Sequence, residues 1–269
     1  MAETTAGAAA RIHALEEAVS TSVIGQGEVI REAVACVLAG GHALLEGSPG
    51  VGKTLLVKSL AAASGLVFSR IQFTPDLLPA DITGTDVIVD GPDGRRFEFR
   101  EGPLFGNLVL ADEVNRATPR TQSALLEAMA EQTVSSGTEQ RQLPDPFTVL
   151  ATQNPVEMEG TFPLPEAQLD RFLMKILVPA PDEAALIEIF GRTDRASPPL
   201  PDPMLAPDAV LTTMREVRSV AIAEPLMRQV ARVVRATDPA GASGTDSARR
   251  NLRLGASPRA GEAMCRVAR

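Results

Sequence analysis

Through the first two thirds of the chain, stretches with apolar residues at helical spacing take turns with short, almost wholly apolar runs. Ala8 to Ser20 and Glu28 to Ala39 carry the helical period, His42 to Glu46 suits a short buried strand, Lys53 to Ala63 returns to helix, and Leu66 to Gln72 to strand. Farther on, Leu108 to Ala111 has no polar side chain, as a strand covered on both faces requires. A helical Arg120 to Glu131 and two further strands, Phe147 to Thr152 and Leu173 to Val178, follow it. This alternation predicts an α/β fold, a parallel sheet flanked by helices, opening on a βαβ unit with a glycine turn.

Two segments break the rhythm. In DVIVDGPDGRRFEFR (86–100), Val87 and Val89, then Phe97 and Phe99, alternate around Gly91-Pro92-Asp93-Gly94, which spells an inserted β-hairpin; TVSSGTEQRQL (133–143), with Gly137 at its tip, is a second candidate. Prolines 179, 181, 198, 199, 201, 203 and 207 then mark a change of regime. Beyond them the pattern is helical over 182–192, 208–220 and 224–236 and restarts at Pro258, while 241–250 reads as a mobile loop. The expected organisation is an α/β domain over 1–181, with the hairpin insert at about 84–101, and a small all-α domain over 182–269.

Composition narrows the function. The apolar run from Ala33 to Leu45 is too short to cross a bilayer, and the first residues lack a basic segment, so a cytoplasmic protein without membrane insertion is expected. Residues 1–181 carry a net charge of −10 and residues 182–269 of +2, giving −8 for the whole chain. An acidic body without Trp or Tyr argues against a general nucleic-acid binder, which needs clustered cations and stacking platforms. Cys36 and Cys265 have neither metal nor disulfide spacing and read as inert thiols, His42 as a packed residue and His13 as surface helix. Arginine is the default cation, with three lysines (Lys53, Lys58, Lys175) against 23 arginines.

One of those lysines lies in Gly47-Ser48-Pro49-Gly50-Val51-Gly52-Lys53-Thr54, which fits G-x-x-x-x-G-K-[ST] between an apolar strand and a helix. In such a loop inward backbone N–H groups cradle phosphate oxygens, and a compact ammonium reaches between the β- and γ-phosphates where a planar guanidinium fits less well. The Thr54 hydroxyl is the expected Mg²⁺ ligand from the loop. Leu108 to Glu113 is an apolar strand ending in two carboxylates, which suits Asp112 to a magnesium-bound water and Glu113 to polarising the attacking water. Thr148 to Pro155 is a further apolar strand, ending in Asn154, an amide able to bond the γ-phosphate or orient the lytic water. An extra carboxylate directed at water separates a nucleotide hydrolase from a metabolite kinase.

In order, VIGQ (23–26), GSPGVGKT (47–54), RIQFTPDLLPADITG (70–84), EGPLFGN (101–107), ADEVNRA (111–117), ATQNP (151–155), LPEAQLDRF (164–172) and GASPRA (255–260) resemble the MoxR family of AAA+ ATPases. The resemblance implies a P-loop NTPase AAA+ core with an α-helical lid, working with ATP and Mg²⁺ in a ring, usually a hexamer. It implies that the hairpin is the helix-2 insertion of that clade, which includes magnesium chelatase subunits. Carried over residue by residue, it extends the nucleotide-binding set from the loop to Leu55 and adds Ile24 and Gln26 at the adenine pocket. It makes Arg171 the arginine finger toward a neighbour's γ-phosphate, Arg116 a second interface cation, and Arg259 a cis-acting lid arginine that senses the γ-phosphate. The family's lid continues beyond the position of Arg269, so an incomplete lid is expected.

Three functions compete. The first is an ATP hydrolase remodelling or maturing protein partners, for which the resemblance points to von Willebrand factor A domain clients. The second is a nucleic-acid motor, disfavoured because Arg95, Arg96 and Arg100 in the hairpin region are outnumbered by Asp86, Asp90, Asp93, Glu98 and Glu101. The third is a nucleotide-switched scaffold without turnover.

Overall fold

The computed structural model describes residues 2–91, 94–136, 139–153, 160–192 and 199–269. In chain order the elements are α1 (Ala2–Ser20), α2 (Gly27–Leu38), β1 (Ala43–Glu46), α3 (Lys53–Ser64), β2 (Phe68–Gln72), α4 (Pro79–Thr83), β3 (Gly84–Gly91), β4 (Gly94–Glu101), β5 (Leu108–Asp112), α5 (Pro119–Glu131), β6 (Thr133–Ser136), β7 (Glu139–Gln142), β8 (Thr148–Gln153), α6 (Glu166–Leu169), β9 (Met174–Leu177), α7 (Glu183–Phe190), α8 (Pro207–Ser219), α9 (Glu224–Ala236), α10 (Asp246–Asn251) and α11 (Pro258–Val267). Among the described residues five strands form one parallel sheet in the order β2-β5-β8-β1-β9.

The period-two rule explains why this sheet is buried on both faces. Along β5, Leu108 and Leu110 enter a core with β1's Leu45 and the apolar sides of α1, α2 and α3, whereas Val109 and Ala111 enter the opposite core with Leu125, Leu126 and Met129 of α5. Helices on both sides of a parallel sheet make the predicted α/β layering. Val210 and Met214 of α8 join the first core, so this helix from the C-terminal third packs on the α1–α2 side of the sheet. There Arg11 of α1 pairs with Glu216 and donates from Nε to Thr213 Oγ1 at 2.7 Å.

Local chemistry sets most boundaries. Gly65, at φ 65°, ends α3 in a left-handed turn, and the Leu66 N–H bonds back to Ala61, so β2 starts at Phe68 rather than at the expected Leu66. Region 241–250, expected as a loop, contains the start of α10, where Thr245 Oγ1 accepts from the Ala248 N–H and caps the helix. Both hairpins form, β3 with β4 and β6 with β7. They touch through Arg141, whose guanidinium lies 4.2 Å from the Phe99 ring, and through Ser136, which donates to Asp86 at 2.7 Å. The expected turn residues Pro92 and Asp93, the tip Gly137, Pro155 and Pro198 lie outside the described residues.

Candidate functional site

The strand β1 ends at Glu46 and the chain then turns through the glycine loop into α3, so the loop sits at the carboxyl edge of the parallel sheet, where open α/β sheets hold ligands. Gly50 and Gly52 adopt φ of 81° and 92°, a region side chains rarely enter, which lets the backbone curl around a phosphate-sized space. Gly47 has a second constraint: a Cβ there would lie 2.4 Å from the Val178 carbonyl oxygen. Lys53 Nζ folds into the loop and donates to Gly47 O at 2.6 Å. Burial pulls the lysine's pKa down, and Asp112 and Glu113 push it back up.

Across a cleft of about 420 Å³ from Lys53, Thr54 and Leu55 stand the two acids at the tip of β5. Thr152 of β8 joins them: its hydroxyl donates to Asp112 Oδ1 at 2.6 Å and accepts the Glu113 N–H at 2.8 Å. Glu113 has a left-handed backbone, φ 57°, just past the strand. Its carboxylate accepts from Gln72 Nε2 at 2.8 Å and from Arg116 Nη1 at 3.1 Å. Arg70 Nη2 donates to Asp112 Oδ2 at 2.7 Å.

Lys53, Thr54, Asp112 and Glu113 therefore line one cleft. Gln26, 5% exposed, donates from Nε2 to Val51 O at 2.7 Å, while its Oε1 is buried without a hydrogen-bond partner. Ile24 is half-buried two residues away, and Gly25 packs against Ala185 of α7. Asn154 lies outside the described residues. Arg70, Gln72 and Thr152 were not singled out from the sequence; the available signal was the pair of polar residues at alternate positions ending β2, at the ligand edge of the sheet.

Two arginines lie elsewhere. Arg171 and Arg259 line a separate cavity of about 330 Å³ with Gly41, His42, Arg218 and Arg266. That cavity adjoins the start of β1 whereas the glycine loop follows its end, about 13 Å along the four-residue strand. In this structure Arg259 is thus not among the residues that line its own chain's cleft. The physical reason is the docking of α11, whose Arg266 Nη2 donates to Ala39 O and Gly40 O, both at 2.7 Å. Arg171 Nη1 donates to Leu126 O at 3.2 Å, and Arg259 Nε lies 4.0 Å from Asp170. His42 is a packed residue: Nδ1 accepts the Val149 N–H at 2.9 Å, Nε2 faces Met129 O at 3.1 Å, and burial lowers its pKa to about 4.

The donor set suits a hard cation completed by phosphate. A threonine hydroxyl and a carboxylate share the cleft, and among the described residues no group of three or more His, Cys, Asp or Glu could hold a metal without outside ligands. Mg²⁺ is usually bound in this way, by one or two carboxylates plus substrate phosphates and water. Among the described residues no helix is long and apolar enough to cross a membrane.

Residues 42–174 match the ATPase family associated with various cellular activities (AAA). The chain is 43% identical over 268 residues to chaperone MoxR1 of Mycobacterium tuberculosis (strain H37Rv), covering 98% of this chain and 70% of that protein. It is 42% identical over 253 residues to the uncharacterized protein YeaC of Bacillus subtilis (strain 168), covering 94% and 76%. A solved structure from Cytophaga hutchinsonii, described as a candidate ATPase, superposes with a TM-score of 0.89 at 41% identity, over 99% of this chain and 80% of that one. With the phosphate loop facing two acids at the edge of a parallel sheet, and with relatives matched over most of both lengths, this chain belongs to the MoxR family of AAA+ ATPases.

Proposed function

We propose that this chain hydrolyses ATP with Mg²⁺, in a ring of identical subunits, and uses the cycle to remodel or mature partner proteins. The observation that carries this reading is the single cleft in which Lys53 and Thr54 face Asp112 and Glu113, with Thr152 tying the two acids together. The loop amides and Lys53 bind the triphosphate, since an ammonium among inward N–H groups offsets its charge. Thr54 and Asp112 would hold Mg²⁺, which draws charge from the phosphate oxygens when bound. Glu113 takes the proton of the attacking water, and the Thr152 contact to its backbone N–H holds it at the rim of the cleft. Ile24 and Gln26 receive the base, the unpaired Gln26 Oε1 being an acceptor for an exocyclic amine. Asn154 orients the lytic water.

Arg171 is the finger that reaches a neighbour's γ-phosphate, where developing charge is stabilised. Arg259 is the cis-acting lid arginine that senses the γ-phosphate, and Arg116 is a further interface cation. The division into an α/β domain over 1–181 and a helical lid over 182–269 is part of this reading, as are a hexameric ring and a cytoplasmic location. Protein clients are supported by the chaperone name of the Mycobacterium relative, and von Willebrand factor A domain proteins are the proposed class. Nucleic acid is disfavoured because Arg95 and Arg96 in the first hairpin are already paired with Asp90 and Glu98.

The test is Glu113→Gln, assayed by phosphate release and by retention of labelled ATP. Loss of a positioned general base lowers turnover by about 10²- to 10⁴-fold while ATP stays bound. Turnover within tenfold of the parent would remove Glu113 from the chemistry, and a parent protein without turnover would leave a nucleotide-switched scaffold.

A further inference from the structure

Asp112 has two oxygens with different occupants. Oδ1 is taken by the Thr152 hydroxyl, and Oδ2 by Arg70 Nη2 at 2.7 Å. Arg70 comes from β2, two residues before Gln72, the register partner of Asp112, so its side chain runs along the sheet to reach the acid at the next strand's tip. It lines the same cleft as Lys53 and Thr54. A guanidinium therefore sits on the carboxylate that the Mg²⁺ reading assigns to the metal. The two cations compete, because they repel each other and the single negative charge of one carboxylate cannot balance both.

The pair has the character of a displaceable contact. The Arg70 side chain is 46% exposed, against 14% for Asp112, so the guanidinium can leave into water, whereas the acid left behind needs another cation to take its place. Arg70 Nη2 also donates to Gln72 Oε1 at 2.9 Å, which gives the side chain a second resting partner beside the acid. Removing Arg70 altogether would leave Asp112 a carboxylate beside Glu113 with only Lys53 as a cation from the phosphate loop.

We infer that Arg70 is a positioning residue that neutralises Asp112 until metal-bound nucleotide arrives and is then displaced, so that it sets how strongly nucleotide binding depends on Mg²⁺. This rests on the Mg²⁺-nucleotide reading above. The measured quantity is the ratio of the ADP dissociation constant in EDTA to that in saturating Mg²⁺, by calorimetry on the full chain. Arg70→Ala and Arg70→Gln raise the ratio about fivefold, the equivalent of one exposed ion pair, because the metal no longer has to displace a resident cation. Arg70→Lys keeps a cation and stays near the parent ratio. In an Asp112→Asn background, Arg70→Ala changes the ratio no further, which isolates the pairwise effect.

A phosphate-binding or purely structural role gives another pattern, in which Arg70→Ala weakens ADP equally with and without Mg²⁺ and leaves the ratio unchanged. An unchanged or lowered ratio, or a rise that persists in Asp112→Asn, overturns the inference while nucleotide binding itself stands. Absence of ADP binding by the parent protein under both conditions overturns the nucleotide reading and this inference together.

Discussion

Acid should destabilise this protein through one ring. His42 is 7% exposed, its Nδ1 accepts the Val149 N–H, and its Nε2 meets the Met129 carbonyl, so the neutral tautomer carrying its proton on Nε2 satisfies both neighbours. A second proton would turn Nδ1 from acceptor to donor and set it against the Val149 N–H. Burial is the main reason that the pKa drops from its ordinary 6.5 to about 4, and the nearby Arg266 adds to the drop. The folded-state pKa lies below the unfolded one, so stability is intact above pH 6.5. As pH falls from there the unfolded chain takes up a proton that the folded chain refuses, and the loss grows until about pH 4. At 1.36 kcal/mol per tenfold difference in proton affinity, linkage gives a loss of about 1 kcal/mol at pH 5.5, growing to about 3 kcal/mol near pH 4. Carboxylates titrate over the same range, so the measurement is a difference between the parent and His42→Gln. Urea unfolding at pH 7.5, 5.5 and 4.5 should show the parent's stability advantage shrinking by those amounts, a relative midpoint shift of about 1 M by pH 4.5. A gap between the two proteins that stays constant within about 0.5 kcal/mol would refute the argument.

Other substitutions probe the cleft and the cores. Thr152→Val keeps the volume but removes a bond to the Asp112 carboxylate and strands the Glu113 N–H, at a cost of about 2–4 kcal/mol in urea unfolding; Thr152→Ser should recover most of it. Lys53→Ala should abolish ATP binding by calorimetry, and an unchanged dissociation constant would sink the phosphate assignment of the glycine loop. The Cys36 thiol is fully buried and pushed up to about 12, so iodoacetamide at pH 8 should modify Cys265 alone in the folded protein and both thiols in urea, as counted by mass spectrometry.

What could be read from the sequence was what the backbone enforces locally. The glycine loop needs residues that tolerate positive φ, and β5 needs apolar side chains on both faces, so each leaves its mark within a few adjacent letters. Arg70, Gln72 and Thr152 left none, because their roles come from register: β2 and β8 flank β5, and only that pairing carries their side chains to Asp112 and Glu113. The position of Arg259 was equally hidden, since it depends on how α11 docks through Arg266 onto the carbonyls that close α2. The helix at Asp246–Asn251 was missed because a Gly- and Ser-rich approach looks like a loop until the Thr245 cap is noticed.

The grip of Arg11 on Thr213 and Glu216 has a mechanical corollary. With Val210 and Met214 sunk in the main core, α8 is the helix of the proposed lid that is pinned to the α/β body. Any swing of α9, α10 and α11 must then bend at the extended link from Val220 to Ala223, and its arc is leashed at the far end by the two carbonyls that hold Arg266.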